Sequence, residues 1–230
     1  MVKKKREHFF EGDGLLSQWL LYFLFVFFIL HIPRLNLYFA ALNTMFHEMG
    51  HAIVCLLFKG RVVKISLFPN TEGQIITASG SWISRVLISY AGYTFSPLVA
   101  YGSFYLIGEG MHLNLLYGFI GVSVMNLVLW VRNLYGVFWL TTFISLCLLF
   151  LYIGHSGAIE IFVQFLAALL LVESIRSAFI ICLLSFRDKR QAGDATNLAK
   201  STFIPAFFWG TLFFIQSMMV AYWIFSWLIA

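Results

Sequence analysis

Long apolar runs separated by short polar breaks divide the chain into seven segments: residues 15–32, 35–58, 82–108, 112–131, 134–154, 158–186 and 203–230. At about 1.5 Å per residue, each is long enough to form a helix across a hydrocarbon core, the longer ones tilted. Residues 61–79 break this pattern. Val63, Ile65 and Leu67 alternate with Lys64, Ser66 and Phe68, and Gln74-Ile75-Ile76-Thr77 follows after Pro69-Asn70-Thr71-Glu72-Gly73. Period-two alternation on both sides of a turn predicts a β-hairpin, whose exposed edge would suit an extended peptide. An ordinary amphipathic connection is the alternative. The expected fold is an all-α polytopic membrane protein of about seven transmembrane helices, with a short cytoplasmic-side β-hairpin after the second. No internal repeat is visible.

Composition supports a bilayer as the solvent. Of 230 residues, 61% are hydrophobic, 19% aromatic and only 11% charged, which leaves too little polar surface for a soluble domain. The formal charge of +5 gathers at a few positions between spans, so it reports topology rather than nucleic-acid binding. Lys3, Lys4, Lys5 and Arg6 place the N-terminus in the cytoplasm. Alternation then delivers Lys59, Arg61, Lys64, Arg132, Arg187, Lys189 and Arg190 to the same side. The outer connections hold Arg34, Glu109, His112, His155 and Glu160. The basic start followed by an apolar run imitates a secretory signal, but it lacks a small-x-small cleavage site and reads as an uncleaved first span. Residues 1–34 then form a basic N-terminus with that span, and residues 35–230 form the core. Cys55, Cys147 and Cys182 fall within apolar runs and read as free buried thiols.

The chemistry lies in His47-Glu48-Met49-Gly50-His51, inside the second apolar segment. On a helix the two histidines share one face and suit one Zn2+ ion, while Glu48 beside them suits a general base. From this composition, a chance His-Glu-x-x-His has an expectation of about 0.005. Ionisable groups at bilayer depth are costly, which favours function over packing. Gly50 allows a neighbouring helix to approach closely, and Thr44 can bond back to the chain. A third ligand is needed. Asp194, in Gly193-Asp194-Ala195, enters from the cytoplasmic side ahead of the last apolar segment, with Pro205 bending the helix behind it. Glu173, deep in the sixth segment, is the reserve, although Arg176 one turn away is a ready ion-pair partner. Asn126 and the hairpin residues Ile65 and Ile75 are candidates for holding substrate; Asn126 equally suits an interhelical hydrogen bond. Ser96-Pro97 marks a kink.

These residues resemble the site-2 protease family of intramembrane zinc metalloproteases, in particular its compact branch without a PDZ domain. The resemblance rests on His47-Glu48-Met49-Gly50-His51-Ala52, Gly60-Arg61-Val62, Ala91-Gly92, Arg132-Asn133-Leu134-Tyr135-Gly136 and Asp194-Ala195. It implies zinc held by His47, His51 and Asp194, water activated by Glu48, and a transmembrane protein substrate paired to the hairpin and cut within or near the bilayer. Two departures stand out: Gly92-Tyr93 where family members often carry Gly-Pro, and Gly193-Asp194-Ala195 where they carry Asp-Gly. The expected location is a bacterial inner membrane. Rival readings are another membrane zinc peptidase acting on soluble or lipidated peptides, and a non-catalytic metal-binding membrane protein.

Overall fold

The computed structural model describes residues 12–229; Lys3, Lys4, Lys5 and Arg6 lie outside them. The elements are α1 (Gly12–His31), α2 (Pro33–Leu57), β1 (Arg61–Leu67), β2 (Gly73–Ala78), α3 (Trp82–Gly108), α4 (His112–Leu129), α5 (Leu134–Ile153), α6 (Ser156–Arg187), α7 (Gly193–Thr202) and α8 (Ala206–Ile229). All seven apolar segments are helical. The count of seven spans does not carry over. Among the described residues, α4, α5, α6 and α8 are each long and apolar enough to cross a membrane. The α1–α2 pair passes that test only jointly and is bent by 116°, which gives four spans, or five if the pair is one. For α2 and α3 the physical reason is polar dilution. α2 carries Asn43, Thr44, His47, Glu48 and His51 through its middle, and α3 carries Ser84, Arg85, Ser89, Thr94 and Ser96.

α6 is the centre of the bundle. Residues 162–171 are buried all round, so this helix has no lipid-facing stripe there. α3 packs along α2, and α8 along α6. Lipid tails match apolar side chains, so helices in a bilayer associate through close packing, which small residues permit. Gly50 serves this at the α2–α3 crossing, where a Cβ would lie 3.0 Å from the Ala91 carbonyl oxygen. Gly210 does the same on α8, 3.1 Å from the Cys182 Cα by the same measure.

Local signals set the ends that matter. Pro33 occupies the first turn of α2, where its missing N–H costs nothing. Lys59, with φ of 56°, reverses the chain after α2, and the Gly60 amide donates to the Cys55 carbonyl at 2.8 Å. Ser81 caps α3 by accepting from the Ser84 amide. α3 runs on through Pro97 without a break. Residues 194–230 are not one helix bent at Pro205. α7 ends at Phe203, whose φ is 62°, and α8 starts afresh at Ala206, because proline cannot continue a helix through its own missing N–H.

The hairpin forms as an antiparallel pair with Ile65 opposite Ile75 and Leu67 opposite Gly73. A bulge between Val62 and Lys64 shifts the alternation, so Val62 is buried and Val63 is 51% exposed, against the simple period-two pattern. The outer edge of β1 is closed. Ile65 donates to the Trp130 carbonyl at 2.9 Å and accepts from the Arg132 amide at 3.3 Å. The Asn133 side chain accepts from the Leu67 amide at 3.1 Å and donates to its carbonyl at 2.5 Å. In an antiparallel ladder, opposed residues either bond each other or both face away. Ile65 and Leu67 face outward, so Ile75 and Gly73 point their N–H and C=O groups away from β1.

Candidate metal centre

Three side chains from two helices meet at one point. His47 and His51 sit one turn apart on α2, with Nε2 atoms 3.0 Å from each other. Asp194, in the first turn of α7, brings Oδ2 to 3.2 Å from each of those nitrogens. Gly193, with φ of 47°, makes the turn that starts α7 and aims Asp194 inward. His47, His51 and Asp194 are the one group among the described residues whose donor atoms cluster as a metal site would need.

The donor chemistry fits a cation. His51 Nδ1 lies 2.5 Å from the Ile88 carbonyl oxygen, and only a protonated Nδ1 can donate there. The neutral ring therefore presents a lone pair at Nε2, facing the Asp194 carboxylate and the His47 Nε2. Lone pairs converging on an anionic oxygen repel one another unless positive charge lies among them. A tetrahedral zinc binding N and O donors at about 2.0–2.1 Å sets them about 3.3 Å apart. The observed separations of 3.0, 3.2 and 3.2 Å match that spacing. Gly92 of α3 keeps the space clear. A Cβ there would stand 2.6 Å from Nε2 of both histidines.

Glu48 is buried beside this group at the wall of a cavity of about 650 Å³. α2 supplies one side of the cavity with Asn43, Thr44, His47, Glu48 and His51; α7 supplies Asp194 and Asn197, and α6 supplies Ser177. The hairpin turn and the start of β2 roof it, from Asn70 to Ile75. Thr44 donates to the Thr71 carbonyl at 2.7 Å and so ties the turn to α2, a better bond than its 3.4 Å approach to the Ala40 carbonyl within its own helix. Asn43 donates to Ser177 at 3.3 Å and accepts from Ser96, linking α2, α6 and α3.

The remaining sequence candidates divide. Glu173 stands apart from the cluster and pairs with Arg176 at 2.8 Å, which in turn donates to Asn36 at 3.1 Å. Ile75 lines the cavity. Ile65 does not; its backbone is engaged with Trp130 and Arg132. Asn126 is fully buried outside the cavity, donating to the Val122 carbonyl at 3.0 Å and lying 3.8 Å from the Met49 sulfur, with Oδ1 unpartnered. Several contributors leave no sequence signal. The Ile88 carbonyl is a backbone atom that any residue could supply. Asn133 stands in for a β-strand partner, and only its place in the Arg132–Gly136 motif pointed to it.

A family model described as Peptidase M50B-like matches residues 19–224, nearly the whole chain. No curated protein and no solved structure matches it. The chain belongs to the Peptidase M50B-like family, the site-2 proteases.

Proposed function

From a membrane-embedded member of the M50B-like metallopeptidases, we propose an intramembrane zinc endopeptidase that cuts peptide bonds in transmembrane protein substrates. The observation that carries this reading is the convergence of two imidazole Nε2 atoms and one carboxylate oxygen beside Glu48, under an open strand edge. His47, His51 and Asp194 would hold the ion. Zinc, when bound, supplies Lewis acidity, polarising a carbonyl and lowering the pKa of water. Glu48 takes the proton from the attacking water and returns it to the leaving amine nitrogen. Gly73 and Ile75 offer outward N–H and C=O groups, so an unwound substrate segment can add to β2 as a further strand. A helical substrate hides its amides, and that added strand offsets the cost of unwinding it in a low-dielectric setting.

The site's mouth belongs on the cytoplasmic side in this reading. Arg61 and Lys64 lie in the hairpin itself, and Lys59, Arg85, Arg132, Arg187, Lys189 and Arg190 lie at or near helix ends next to it or to α7. His47 lies ten residues before the end of α2, about 15 Å from that face. The same charge pattern supports a multi-pass protein with a cytoplasmic N-terminus, and a bacterial inner membrane is the proposed location. The test is Glu48→Gln in the full chain, in detergent or nanodiscs, against a reporter carrying a transmembrane segment. Cleavage should fall at least about 10²-fold with zinc content unchanged. Undiminished cleavage with zinc retained overturns the mechanism.

A further inference from the structure

The two histidines are held differently. His51 is fixed by its Nδ1 donation to Ile88. Among the described residues, His47 has no hydrogen bond at Nδ1; what bounds its ring is aromatic. The Tyr93 ring meets it edge-on, with centroids 4.5 Å apart and planes at 73°. On its far side Tyr93 stacks on Phe213 of α8 at 4.8 Å and 27°. Phe213 is fully buried, so the stack has a rigid back. His51 bounds His47 on another side, 4.7 Å away at 86°, and the rest of the ring opens onto the cavity. The adjoining Gly92 keeps clear of the two Nε2 atoms, so one turn of α3 both opens room for the donors and braces one of them.

We infer that Tyr93 is the positioning residue of His47, holding the imidazole in its ligating orientation through a ring contact braced by Phe213, in place of a hydrogen bond to Nδ1. An imidazole free to rotate loses rotamer entropy each time it binds an ion, and an edge-on aromatic wall removes that freedom beforehand. The contact uses the ring rather than the hydroxyl. A tyrosine here does work that a smaller or non-aromatic side chain would not. The inference rests on the zinc reading above.

The test is zinc affinity of the full chain by chelator competition, together with the visible spectrum of the cobalt(II)-substituted protein. Tyr93→Phe should bind zinc within about threefold of the parent, and Tyr93→Leu should bind about 10- to 100-fold more weakly with an altered cobalt spectrum. Phe213→Leu should weaken binding by less, and add little once Tyr93 is already leucine. The cobalt spectrum is the readout that a merely structural role would not move, because it reports the arrangement of the ligands themselves. Equal affinity for Tyr93→Leu and the parent overturns the inference while leaving the zinc reading intact. So does a Tyr93→Phe protein as weak as Tyr93→Leu. A parent protein that binds no zinc overturns the zinc reading itself, and the inference with it.

Discussion

Gly73, the first residue of β2, rests directly on Glu48. A Cβ at that position would lie 2.7 Å from the Glu48 Cγ and closer still to its carboxylate. The hairpin that would receive a substrate strand and the residue that would move the proton are therefore in van der Waals contact. Gly73→Ala should push the Glu48 carboxylate aside while leaving the proposed metal ligands His47, His51 and Asp194 alone. Turnover should fall about 10²-fold, the cost of misplacing a catalytic group by about 1 Å. Zinc content measured on the same preparation should stay at the parent level, and a loss of zinc would show that the clash spreads beyond Glu48.

Gly92 occupies the corresponding position on the other side. Any side chain there meets both Nε2 atoms at 2.6 Å, and helix backbone cannot retreat from α2 without breaking the α2–α3 crossing at Gly50. Gly92→Ala should therefore raise the zinc dissociation constant about 10- to 100-fold while leaving helical content unchanged. Chelator competition with circular dichroism distinguishes this from unfolding.

Much of this site was legible from the chain, for identifiable reasons. His47 and His51 follow from helical periodicity alone, and Asp194 from topology and charge, because local spacing fixes the first and the positive-inside bias the second. Seven of the eight described helices were visible as apolar runs; the short polar α7 was not. What the runs could not reveal is which helices are diluted by buried polar groups, since an apolar average does not say where Ser96 or Asn43 points. The register shift at Val62–Lys64 and the positive φ that ends the helix at Phe203 are features that neither Val nor Phe advertises. The closing of β1 joins segments some 65 residues apart, through backbone atoms at Trp130 and Arg132, which no side-chain pattern encodes, and through the side chain of Asn133.

The proposed third ligand and its reserve sit in different surroundings. Asp194 shares one oxygen between two imidazoles, whereas Glu173 is tied to Arg176 at 2.8 Å. Asp194→Ala should abolish stoichiometric zinc. Glu173→Gln should keep zinc and lower stability by about 1–3 kcal/mol, because it weakens a charged hydrogen bond at a buried carboxylate. Metal analysis and thermal unfolding of the two variants side by side check both halves. Zinc lost from Glu173→Gln and kept by Asp194→Ala would reverse the assignment.

The open edge of β2 gives the last prediction. Ile75 stands opposite Ile65, whose backbone groups turn outward to Trp130 and Arg132, so the Ile75 N–H also turns outward and gives nothing to β1. Proline at position 75 would remove that donor while leaving the β1–β2 ladder intact, which is the one setting in which a strand tolerates proline. If substrate adds along β2, Ile75→Pro loses one main-chain bond in the complex and none in the free protein. KM should rise about 5- to 10-fold, from a net worth of about 1 kcal/mol per hydrogen bond, with zinc content unchanged and kcat little altered. The matching proline at position 74 would remove a donor to Ser66 and should instead disrupt the hairpin. Comparing the two separates loss of an edge from loss of a strand. Unchanged KM in Ile75→Pro would move substrate binding off β2.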